Sequence, residues 1–192
     1  MDALAVREPT YSRFPISVDM YHLMAERGVF APDDRVELIE GELFEMSPIG
    51  NLHARCVKFL NDYLITLLTG RYVVGVQDPI VLNDKSEPQP DLSILDYRAD
   101  FYKDETPRAK NVVLVIEVAE TSVTFDKNVK FRRYAAAGIS EAWLIDLTGE
   151  SVEVHSQPKD NGYGTIKIYQ RGENAVSEAI PSINLPVDDI LG

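Results

Sequence analysis

The run VVLVIEVA, Val112 to Ala119, is apolar almost without interruption. A strand covered on both faces reads that way, so this one is expected at the centre of a sheet. Glu141 to Leu147, with AWLIDL at its heart, repeats the signal, and Tyr72 to Val76, Ile80 to Leu82 and Asp91 to Leu95 read as shorter strands. Beyond Gly149 the chain alternates. Val152 and Val154, then Ile166 and Ile168, flank Gly162-Tyr163-Gly164, which predicts an antiparallel hairpin at a sheet edge. A tighter hairpin is predicted over Val36 to Met46, VELIEGELFEM, pivoting on Glu40-Gly41.

Helical spacing marks three other stretches. Ser17 to Gly28 has a capping serine followed by Met20, Leu23 and Met24; Ile49 to Leu68 carries Val57, Leu60, Leu64 and Leu67 and stops at Gly70; Thr124 to Ala137 ends at Gly138. The polar stretch Asp96 to Asn111, with Pro107, reads as a mobile loop, and the tail IPSINLPVDDIL as an irregular cover. The order predicts an α/β (α+β) fold: a mixed central β-sheet flanked by helices, with added antiparallel hairpins.

The chain has 192 residues, 45% hydrophobic and 26% charged. That balance suits one folded domain over residues 1–192, with a helical extension at 1–30 and a hairpin and tail at 150–192. Nineteen Lys and Arg against thirty-one Asp and Glu leave a net charge of −12. Bulk charge therefore repels nucleic acid, and a polyanion must meet a local basic patch or a metal that neutralises carboxylates. The single cysteine, Cys56, excludes an intrachain disulfide and any multi-cysteine zinc site and reads as a small packed thiol. No stretch approaches the ~18–20 apolar residues of a membrane span, and MDALAVREPTYSRF lacks the basic and apolar blocks of a secretory signal. A soluble cytoplasmic protein is expected.

Glu117 interrupts the most apolar strand. A carboxylate buried there needs a cation beside it, a metal or a proton. Asp91 follows Pro90 and opens the preceding strand. If the two strands are neighbours, the acids face each other and repel unless a divalent cation lies between them, a hard-oxygen site suited to Mg²⁺ or Mn²⁺. In TFDKNVKFRRYAAAG, Asp126 and Lys130 stand four apart on one face that Tyr134 continues. The pair is either a surface ion pair or a lysine aimed at the strand end, able to orient a water or steady charge on phosphorus. Lys127, Arg132 and Arg133 complete the most basic window of the chain, a candidate phosphate-facing surface. Glu37 lies among apolar neighbours and His53 near the start of a helix, where histidines most often merely pack. Glu40, Glu42 and Glu45 read as solvent-facing, and Trp143 as core. There is no phosphate-binding loop, dinucleotide fingerprint or nucleophile elbow, and His22, His53 and His155 lack zinc spacing.

From Ser17 to Asp146 the order of ELIEGELFEMSP, a helix carrying His53, Pro90-Asp91, IEVAETS, Asp126 with Lys130, and YAAAGISEAWLID resembles the Uma-two family of restriction endonucleases, within the PD-(D/E)XK nuclease superfamily. The resemblance implies a restriction-endonuclease-like core and a metal-dependent DNA endonuclease. It implies that Asp91, Glu117 and the Val118 carbonyl hold Mg²⁺ or Mn²⁺, with Asp91, Glu117 and Lys130 as the catalytic set. Glu37 and Asp126 would be supporting acids and His53 an auxiliary. The motif's lysine normally stands two residues after the second acid, where this chain has Ala119; the resemblance implies that Lys130 from the following helix takes its place.

Two rival functions remain open at this level. One is a non-catalytic module that keeps the nuclease fold to bind protein or nucleic acid. The other is a metal-free carboxylate-pair hydrolase such as a glycosidase, which one Trp makes a poor match. A homodimer suits cutting two strands.

Overall fold

The computed structural model describes residues 12–192; residues 1–11 of the expected N-terminal extension lie outside the described residues. The elements run α1 Val18–Glu26, β1 Val36–Ile39, β2 Glu42–Glu45, α2 Asn51–Leu68, β3 Tyr72–Val76, β4 Leu92–Asp96, β5 Val112–Ala119, α3 Val123–Phe125, a π-helical turn Asp126–Lys130, α4 Phe131–Ala136, β6 Glu141–Asp146, β7 Ser151–Lys159, β8 Gly162–Gln170, β9 Asn174–Val176, β10 Asn184–Pro186 and α5 Val187–Leu191. A six-stranded sheet in the order β3-β4-β5-β6-β7-β8 forms the centre. Only β5 and β6 are parallel; the other neighbours pair antiparallel. A parallel pair needs a crossover, and the α3–π–α4 segment supplies it.

The strand alternation of β5 decides what each face receives. Leu114, Ile116 and Val118 point toward α2, where Cys56, Val57, Leu60, Leu64 and Leu68 form its buried stripe. Val115 and Ala119 point the other way, into a second core with Phe131, Tyr134 and Leu144. Glu117 shares that second side. The tail is more than a cover, because Ile180, Ile183, Leu185, Val187 and Ile190 are all buried in the α2-side core.

The tight hairpin forms as the sequence predicts. Glu40 and Gly41 both take positive φ, 53° and 78°, the geometry of a two-residue turn whose twist matches its strands. A Cβ on Gly41 would stand 2.8 Å from that of Pro15, so glycine is needed there twice over. The hairpin is a separate two-stranded sheet, fastened to the segment before β4 by Glu87 N–H on Leu38 O and Gly41 N–H on Lys85 O.

Several expectations are corrected. Ile80 to Leu82 is not a strand: only Val81 makes a bridge, to Arg108, while Ile80 is a fully buried plug in the second core. The expected helix Thr124 to Ala137 is broken by the π-helical turn, in which the Phe131 N–H reaches the Asp126 carbonyl. The turn between β7 and β8 lies at Asp160-Asn161, ahead of the glycines, because Lys159 pairs with Gly162. Asp96 to Asn111 is a loop, but one tied to the body: Tyr102 is buried, donates to the Asp96 carbonyl at 2.8 Å and lies under the Arg98 guanidinium. On α1 the Met20 and Leu23 side chains are exposed. Ser17 does cap that helix, accepting from Met20 N–H. Among the described residues no helix is long and apolar enough to cross a membrane.

Candidate active site

Asp91 stands one residue ahead of β4, and Leu92 pairs with Ile116. One further step of that register sets Asp91 against Glu117, on the face that receives the crossover helices. The site is built where these groups meet.

The Asp91 carboxylate is held from three directions. Oδ2 accepts from Val118 N–H at 2.9 Å and faces His53 Nε2 at 3.0 Å, while Oδ1 accepts from Gln77 Nε2 at 3.1 Å. Burial pushes this carboxyl up, but the bonds from His53, Val118 and Gln77 outweigh it and hold the group below its ordinary range. His53 comes from the first turn of α2, and its Nδ1 is buried with no protein partner among the described residues.

Glu117 is buried and meets a different set. Tyr134 donates its hydroxyl to Oε1 at 2.5 Å, and Lys130 Nζ stands 3.2 Å from the same oxygen. Lys130 Nζ also lies 3.1 Å from Glu37 Oε2. Asp126 accepts from the Ser122 hydroxyl at 2.6 Å. The surface-pair reading of Asp126 and Lys130 is thereby corrected: both are 4% exposed. The wider π-helical turn keeps them together on the inner side, with Tyr134 following.

Three carboxylates, Glu37, Glu117 and Asp126, thus surround one ammonium. Burial lowers the pKa of Lys130, but Glu117, Glu37 and Asp126 outweigh it, so the lysine stays charged. Burial drives Glu117 well above the carboxylate range, with Lys130 pulling against it, and Asp126 is pushed up to about 6 by burial against Lys130 and Ser122.

The donor chemistry fits a hard divalent ion, with two carboxylates from neighbouring strands and a carbonyl. Val118 turns its N–H toward Asp91, and strand geometry turns its carbonyl to the same edge. Among the described residues, no three His, Cys, Asp or Glu side chains are grouped to hold a metal. Glu117 is instead engaged by Lys130 and Tyr134.

A cleft of about 560 Å³ opens onto these groups, walled by Phe44, Met46, Ile49 and Phe125. The basic window does not line it as expected. Lys127 pairs with Glu153 and Arg133 with Glu40, so only Lys130 of that window faces the cleft. Glu40, Glu42 and Glu45 are exposed and Trp143 is fully buried, as expected.

Sequence reasoning missed Gln77, Ser122 and the hydroxyl of Tyr134 as site groups. Only Tyr134 carried a signal, one turn beyond Lys130. Gln77 has none, because its contact depends on the pairing of β3 with β4.

Compared with known proteins, residues 18–188 match the family Uma2, described as "Putative restriction endonuclease". The chain belongs to the Uma2 family. Its fold is also similar to a solved structure from Anabaena variabilis, described as a "putative nuclease belonging to DUF820". The two share 15% identity with a TM-score of 0.70, over 92% of this chain and 98% of that one. At that identity the likeness speaks for the fold, a restriction-endonuclease-like sheet with flanking helices. No curated protein matches the chain. Uma2 membership and fold together make this a restriction-endonuclease-like protein of a nuclease family.

Proposed function

We propose that the protein is a divalent-metal-dependent DNA endonuclease, folded as one restriction-endonuclease-like domain. The observation that carries this reading is the convergence of Asp91, Glu117 and Lys130, from three separate stretches of chain, at the floor of one cleft. Asp91, Glu117 and the Val118 carbonyl would hold Mg²⁺ or Mn²⁺, which supplies Lewis acidity and charge neutralisation at the scissile phosphate. His53, Gln77 and the Val118 N–H keep the Asp91 carboxylate ionised and fixed. Tyr134 fixes Glu117. The Lys130 ammonium, held between Glu37 and Glu117, is set to orient the attacking water and steady charge on the phosphoryl oxygens. Glu37 and Asp126 keep that lysine protonated. A homodimer is the assembly proposed with it, symmetric dimers being the commonest oligomers.

The test is nicking of supercoiled plasmid by purified protein with Mn²⁺, beside Asp91→Ala and Glu117→Ala. Activity in the wild type and its loss in both variants is the expected result; equal nicking by all three assigns the activity to a contaminant.

One observation favours a second reading, a non-catalytic module. Glu117 already has an internal cation in Lys130. Calorimetric titration with Mn²⁺ separates the two: uptake that Asp91→Asn abolishes supports the nuclease, and no uptake supports the module.

A further inference from the structure

The cleft above the acidic floor is an unusual place for a duplex. Its lining carries six carboxylates, Glu37, Glu45, Asp91, Glu117, Glu120 and Asp126, against two fixed cations, Arg35 and Lys130. Lys130 is engaged by Glu37 and Glu117, and Arg35 donates to the Ser47 carbonyl. Duplex binding rests on lysines and arginines spread along two phosphate rails. This cleft has none to spare; in the nearby basic window Lys127 and Arg133 are engaged by Glu153 and Glu40, and Arg132 does not line the cleft.

Its apolar wall tells the other half. Phe44 and Phe125 stand with ring centroids 5.1 Å apart. Phe44 is the register partner of Glu37, and Phe125 directly precedes Asp126. Cross-strand partners share a face, so this aromatic pair begins one residue from the carboxylate and lysine floor. Met46 and the 43% exposed Ile49 extend the wall toward solvent. The floor itself is recessed: Asp91 is 7% and Glu117 3% exposed. A cleft of about 560 Å³ has the size of a small-molecule site. It has room for an unstacked nucleotide, whereas a stiff double helix must be distorted to reach its floor.

We infer that the cleft takes an unpaired polynucleotide strand, its base stacked against the Phe44–Phe125 wall and its phosphate lowered to the Asp91–Glu117 floor. This rests on the nuclease reading and narrows it to a substrate class. Stacking tolerates any base, because every base presents a π-face. Single-stranded DNA and RNA share this chemistry and are separated by the test.

The test uses one sequence in three labelled forms: single-stranded DNA, single-stranded RNA and the DNA duplex. Cleavage is followed with Mn²⁺ and binding by fluorescence anisotropy with Ca²⁺. Faster cleavage and tighter binding of either single strand than of the duplex is expected, and whichever is preferred names the sugar. Phe125→Ala should weaken single-strand binding about tenfold, while Phe125→Trp keeps it. The Trp variant guards against a folding defect. Duplex preference, or single-strand binding indifferent to Phe125→Ala, overturns the inference and leaves the nuclease reading intact. Single-strand binding without cleavage of any form removes the nuclease reading and, with it, the inference that rests on it. Binding of none of the three overturns the inference as well.

Discussion

Tyr134 and Glu117 meet through a 2.5 Å hydrogen bond between a phenol and a carboxylate, both inside the second core. The bond joins a helix residue to the centre of the most apolar strand. Tyr134→Phe removes the donor and leaves the carboxylate short of a partner, at a cost of about 1–3 kcal/mol. Urea unfolding of the two proteins measures it. An unchanged midpoint would show that Lys130 alone satisfies Glu117.

Lys130 carries a heavier load. Lys130→Met strips the counter-charge from Glu37 and Glu117 together. Removing one partner from a buried ionic group costs about 3–5 kcal/mol, so this variant should be the least stable of the site substitutions. Adding Glu117→Gln to it should recover part of the loss, since one uncompensated charge is gone. A double-mutant cycle by chemical denaturation reads the coupling.

Divalent cation should act on stability as well as on turnover. A ligand of the folded state alone adds RT ln(1 + [L]/Kd), about 2.7 kcal/mol at a hundredfold excess over Kd. Mn²⁺ should therefore raise the thermal midpoint of the wild type and leave Asp91→Asn unmoved. A shift of equal size in both would place the ion elsewhere.

On the same side of the sheet, Glu153 bonds His155 at 3.0 Å and pairs with Lys127. Burial pushes its carboxyl up, but His155 and Lys127 outweigh that and hold it below the ordinary 4.5. A carboxylate depressed on folding contributes stability above its unfolded pKa, and the contribution is lost as pH falls through the folded value. Wild-type stability should thus decline below about pH 4.5, and Glu153→Gln should flatten that acid limb. Urea midpoints across the acid range decide it.

Cys56 is fully buried, and burial pushes its thiol up to about 12. A protonated, sealed thiol does not react. A disulfide exchange reagent should leave the native protein untouched and titrate one thiol after denaturation. Rapid native-state reaction would mean that α2 opens readily.

Much of this molecule is readable from residue order. Val112–Ala119 is a strand with the bounds its apolar run predicts, because a strand covered on both faces leaves no polar position to blur its ends. Glu117 stands out for the same reason, being the one charge in that run. What escapes is whatever pairing creates. Gln77 reaches Asp91 only because β3 lies antiparallel to β4, and its φ of 54° has no sequence mark. Ile80 misleads because a plug and a strand residue are equally apolar; the difference lies in where its backbone bonds go, to Pro88 in place of a ladder. The π-helical turn is silent too, since Asp126 and Lys130 satisfy helical spacing whether the turn is tight or wide. The basic window misleads through its partners, Glu40 and Glu153, which lie far away in sequence.

The β1–β2 hairpin sends Glu37 to the ammonium and Phe44 to the wall of the cleft, and it hangs outside the main sheet by a few backbone bonds. Swapping this ribbon for one from a relative, as an engineer seeking altered selectivity would do, also rewrites the electrostatics beneath it. Glu37 and Phe44 travel on one ribbon, so a replacement chosen for its ring also brings a new neighbour for the lysine.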